Sequence, residues 1–119
     1  MTSYIVTNRP EFLRIKRADY IFFPFWSWKI PVEITSQFKC IGFHTGNLPE
    51  QAGGSPIQNL IRLGEKKSYV NAILLNDQID GGEVIMRKEV SLEGDLEEIL
   101  IRISGIIAEM MDEIQKNHR

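Results

Sequence analysis

A chain of 119 residues that is 43% apolar and 25% charged is large enough for one packed domain, and small for an enzyme that must hold both a cofactor and a second substrate. Its 14 basic and 16 acidic residues, a formal charge of −2, are mixed along the sequence, so no cationic stripe is available to neutralise the phosphates of a long nucleic acid. Cys40 is the only cysteine, which excludes an intramolecular disulfide and suits a core thiol in a reducing compartment. Met1 to Pro10 lacks the apolar centre of a secretory signal and no run approaches the roughly 20 apolar residues of a membrane span, so a cytoplasmic protein with no membrane contact is expected.

Tyr4 to Thr7 is a short apolar, β-branched run, the first predicted strand, and Pro10 to Lys16 carries Phe12, Leu13 and Ile15 as the apolar positions of a brief helix. Tyr20-Ile21-Phe22-Phe23, stopped by Pro24, is apolar at every position, as a strand covered on both faces must be. Phe38 to Phe43 is a third strand and delivers His44 at its C-terminal end. Ser55 and Pro56 then suit an N-cap and first helical position, with Ile57, Leu60 and Ile61 at helical spacing before Gly64 ends the element. Tyr69 to Leu75 and Glu83 to Val90 are predicted strands four and five. The connection between them is too short for a crossover helix, so they should be antiparallel neighbours. From Leu96, the residues Ile99, Leu100, Ile103, Ile106, Ile107, Met110, Met111 and Ile114 recur at three- and four-residue steps and predict an amphipathic helix covering the sheet. The pattern is α/β in one domain, residues 1–119.

Two histidines are present, and His118 lies in the polar tail, so imidazole chemistry falls to His44. Ligands of open parallel sheets bind beyond the carboxyl ends of the strands, where His44 is expected. Asp80 precedes Gly81-Gly82 in a tight connection, where aspartate and glycine are also the ordinary turn formers. Asp77 shares that loop but does not precede the glycines. Phe22-Phe23-Pro24-Phe25-Trp26-Ser27-Trp28 concentrates the aromatic residues and both tryptophans. The loop Gln51 to Ser55 opens a helix with two glycines, but no lysine follows in the nucleotide-binding pattern, so a phosphate cradle is disfavoured. No metal site is expected.

Phe43-His44-Thr45-Gly46-Asn47-Leu48-Pro49, Gly53-Gly54-Ser55-Pro56-Ile57-Gln58 and Asp80-Gly81-Gly82 stand in one order. Together they resemble the catalytic core of the folate-dependent formyltransferases, over roughly Tyr20 to Ile114. The resemblance implies a shortened, three-layer Rossmann-like fold, a mostly parallel sheet with an antiparallel strand near its end. It implies formyl transfer from 10-formyltetrahydrofolate to a primary amine. His44 would donate to the formyl oxygen as negative charge builds there, and Asp80 would hydrogen-bond the imidazole and help move the proton of the attacking amine. By the same resemblance the loop of Phe25, Trp26 and Trp28, with Asn76, Ile79 and Asp80, encloses the folate pteridine, and Gly53 and Gly54 shape the amine side. The family's second donor is an asparagine two residues before the histidine. Gly42 stands there, and Asn47 has the chemistry to substitute, its other reading being a local capping group.

The absence of further βα units and of a second domain points to a small acceptor such as an amino-sugar nucleotide, and to a homodimer covering an exposed sheet edge. Gly42, and Ala52 where relatives carry an arginine, support the other reading: a non-catalytic folate-binding or assembly module.

Overall fold

The computed structural model describes residues 3–6, 17–24, 30–46, 60–75 and 82–117. They form a five-stranded sheet in the order β1 (Ser3–Ile5), β2 (Tyr20–Phe23), β3 (Lys39–Thr45), β4 (Lys67–Leu75) and β5 (Gly82–Ser91), with helices α1 (Val32–Thr35) and α2 (Leu96–Lys116). β1, β2 and β3 are parallel, with Tyr4 against Ile21 and Ile21 against Cys40. β4 runs the other way. From Lys67 to Tyr69 its partners in β5 step back from Glu89, 3.1 Å from Lys67, to Arg87, whose guanidinium lies 5.1 Å from the Tyr69 ring centre. On its other side Gly46 donates to the Tyr69 carbonyl at 2.8 Å, while Asn71, two residues further on, reaches back to the carbonyl of His44. The sheet is therefore mixed and mostly parallel, as the sequence implied.

The chain divides into two compact units, residues 1–43 with 72–85 and residues 44–71 with 86–119. In the first, the all-apolar β2 is buried at every position, and its alternate side chains go to different partners. Ile21 and Phe23 join Val6, Ile30 and Cys40, against which Ile34, Phe38 and Leu75 pack. Tyr20 and Phe22 stack instead with centroids 5.8 Å apart, and Phe22 continues to Phe43 at 6.4 Å. Apolar side chains on both alternations are what a strand covered on two faces needs. The four-residue α1 has no counterpart in the sequence reading, because Val32, Ile34 and Thr35 are β-branched and weak helix formers. Tertiary contact sets it: Ile34 packs on the core and its carbonyl accepts the Cys40 thiol at 3.8 Å.

In the second unit, α2 starts with a capping box that sequence reading did not single out. Asp95 accepts from the Glu98 amide at 2.8 Å, and the Glu98 carboxylate accepts from the Asp95 amide at 3.4 Å. Ile99, Ile103, Ile107, Met110 and Ile114 form the buried stripe. Leu100, expected on it, is 41% exposed, because it lies one residue, about 100° of rotation, from Ile99. Lys88 of β5 ties to Glu113 of α2 at 2.6 Å and to Glu109 at 3.6 Å. Residues 60–62 are helical and Gly64 follows at φ 79°, as expected for the end of the predicted helix. Among the described residues, no helix is long and apolar enough to cross a membrane, and no His, Cys, Asp and Glu cluster could hold a metal.

Candidate active site

β3 extends two residues beyond its predicted end, so His44 is the penultimate residue of the strand and half-buried. The strand stops at Gly46, whose φ of 136° is open to glycine and disfavoured for any L side chain. Three hydrogen bonds hold this end. The Gly46 amide donates to the Tyr69 carbonyl at 2.8 Å. The Asn71 side-chain amide donates to the Gly46 carbonyl at 2.8 Å and to the His44 carbonyl at 3.1 Å. Asn71 is fully buried, and its own oxygen accepts from Arg87 Nε at 2.8 Å. The Arg87 guanidinium in turn stacks over Tyr69. Gly42, at the family's asparagine position, is buried in β3 opposite Phe23 and offers no side-chain donor.

His44 is the expected site residue that the structure describes. Asp80, Asn47, Phe25, Trp26, Trp28, Asn76, Ile79, Gly53 and Gly54 lie outside the described residues. Sequence reasoning missed Asn71, Arg87 and Tyr69. The signal was present in Asn71, a lone amide inside the apolar run Tyr69 to Leu75, since an amide buried there must find partners. Cys40 is where a core thiol was expected: fully buried, with burial pushing its thiol up to about 12.

In open α/β sheets ligands bind beyond the carboxyl ends of the strands, and His44 stands at such an end in this mixed α/β sheet. A family model described as formyl transferase matches residues 9–103, and the chain belongs to that family. The methionyl-tRNA formyltransferase of Sulfurimonas denitrificans is 30% identical over 124 residues, covering 95% of this chain and 41% of that protein. The solved methionyl-tRNA formyltransferase from Clostridium thermocellum superposes with a TM-score of 0.77 at 44% identity, covering 83% of this chain and 44% of that one. HypX from Aquifex aeolicus, solved in complex with tetrahydrofolic acid, shares the fold at a TM-score of 0.66 and 20% identity, over 86% of this chain and 19% of that one. The chain thus spans about two-fifths of the length of the first of these relatives.

Proposed function

We propose that this chain carries the core of a folate-dependent formyltransferase that moves a formyl group from 10-formyltetrahydrofolate to a primary amine. The observation that carries the reading is His44 at the carboxyl end of β3, a strand end tied down by three hydrogen bonds, in a chain of the formyl transferase family. The bound folate supplies the formyl carbon. As the amine's nitrogen bonds to that carbon and the bond to the folate nitrogen breaks, His44 donates to the formyl oxygen, where negative charge accumulates. Asp80 orients the imidazole and receives the amine's proton, which leaves with the folate nitrogen. Asn47 takes the place of the donor missing at Gly42. Phe25, Trp26 and Trp28 enclose the pteridine together with the backbone of Asn76, Ile79 and Asp80, and Gly53 and Gly54 shape the amine side.

An amino-sugar nucleotide is one acceptor to be tested. A second acceptor, the amine of methionyl-tRNA, is favoured by the identities of 30% and 44% shared with the methionyl-tRNA formyltransferases of Sulfurimonas denitrificans and Clostridium thermocellum. A cytoplasmic homodimer goes with this reading, and light scattering tests it. The central test is formyl transfer to both acceptors by wild type and by His44→Ala, Asp80→Ala and the double variant. Each single change should cut transfer by a factor on the order of 100 or more. The double variant should be little worse, since groups acting as a unit are not additive, and folate affinity should change far less. A wild-type chain that binds folate and formylates neither acceptor would leave the non-catalytic folate-binding module as the surviving reading.

A further inference from the structure

We infer that Asn71 is a positioning residue for His44: its buried amide clamps the end of the strand that carries the imidazole, and Arg87, stacked on Tyr69, keeps that amide the right way round. This rests on the reading of His44 as the oxyanion donor.

Asn71 stands between Val70 and Ala72, and all three are fully buried. An amide there without partners would lose its hydrogen bonds to water and gain none in return, so the position is unfavourable unless the polar group is used. It is used on both sides, as Nδ2 serves two carbonyls and Oδ1 takes the Arg87 Nε hydrogen. The orientation is determined. Arg Nε–H can only donate and the two carbonyls can only accept, so an amide flip would set oxygen against oxygen twice and nitrogen against nitrogen once. Both backbone polar groups of Gly46 and the His44 carbonyl are thereby tied to β4, at the point where β3 gives way to a glycine in a left-handed conformation.

The residue type follows from the geometry. A carboxylate of the same shape would keep the bond to Arg87 but lose both donors and face two carbonyl oxygens. A hydroxyl has one donor, and glutamine is longer by a methylene. The consequence is kinetic. A displacement on the order of 1 Å at the reacting centre costs about 100-fold in rate, and one residue separates the clamped Gly46 from His44. Loosening this strand end should therefore act on the chemical step through His44.

The test uses the full chain, with active molecules counted by their folded fraction. Asn71→Asp should lower kcat for formyl transfer by a factor on the order of 10 to 100, with KM for folate nearly unchanged. Arg87→Gln should give a smaller loss of the same kind. In the His44→Ala background, Asn71→Asp should cost no further activity, because the residue it positions is gone. A purely structural role predicts the opposite, a second loss in that background, and an unchanged kcat per folded wild-type-background molecule would equally overturn the inference. A second measurement needs no turnover: NMR should show the Asn71 side-chain amide protons protected from exchange, and the His44 imidazole resonances shifted in Asn71→Asp. Rapidly exchanging amide protons, or unmoved imidazole resonances, would overturn the clamp even if no acceptor were ever formylated. Conversely, a protected amide in an inactive wild-type chain would sink the transfer reading alone.

Discussion

Gly82→Ala and Gly64→Ala add the same methyl group to two glycines at positive φ, 123° and 79°, and should have unequal costs. At Gly64 a Cβ would meet nothing within 4 Å. The penalty is then conformational alone, about 1–2 kcal/mol for an L-residue held at positive φ. At Gly82 the methyl would run into the carbonyl oxygen of Leu74 and come within 3.0 Å of Ile73 Cγ2. The Leu74 oxygen belongs to the backbone of β4 and cannot rotate aside, so relief means parting β4 from β5 at this point. Loss of one or two ladder hydrogen bonds, at about 0.5–1.5 kcal/mol each, adds to the conformational term and gives roughly 3–4 kcal/mol for Gly82→Ala. Urea unfolding of both variants, followed by circular dichroism and analysed with a common m-value, measures the difference directly. At about 4 °C per kcal/mol for a domain of this size, the melting temperatures should fall by about 14 °C and about 6 °C. Equal losses at the two sites would refute the close approach of Gly82 to Leu74. Because Gly82 ends the connection that contains Asp80, the folded fraction of Gly82→Ala should also lose more formyl transfer than that of Gly64→Ala.

Cys40 should resist iodoacetamide at pH 8 in the folded protein and react readily in denaturant, since burial holds the thiol protonated. Its raised value also fixes a sign. The unfolded thiol ionises near the ordinary 9.0 and the folded one near 12, so this contribution to stability is complete below pH 9 and declines as pH rises from 9 to 12; unfolding midpoints of wild type and Cys40→Ala across that range should converge. Folate binding should quench the emission of Trp26 or Trp28, because a pteridine stacked beside an indole changes its surroundings. A titration with calorimetric heat and unchanged emission would remove the aromatic loop from the cofactor site. Asn47→Ala should reduce formyl transfer about as much as His44→Ala if it replaces the donor absent at Gly42, and a negligible effect would leave His44 as the side-chain donor.

Local pattern alone determined a good deal of this molecule. The boundaries of β2 follow from four apolar residues stopped by Pro24, and α2 from its three- and four-residue steps, because each periodicity is a property of neighbouring residues. His44 at a strand end, and membership of the formyl transferase family, were also legible, since strand, histidine and Leu-Pro turn lie within a dozen residues. Tertiary structure decided the rest. α1 exists because Ile34 and Cys40 meet, against the helix propensities of its own residues. The stripe of α2 excludes Leu100 because the buried face is fixed by what it packs on, whereas the sequence shows only that an apolar face exists. The clamp at His44 joins Asn71 to carbonyls 25 and 27 residues earlier and to an arginine 16 residues later. No local pattern encodes such bonds. They depend on β4 lying between β3 and β5 in one register, and register is set only when the strands pair.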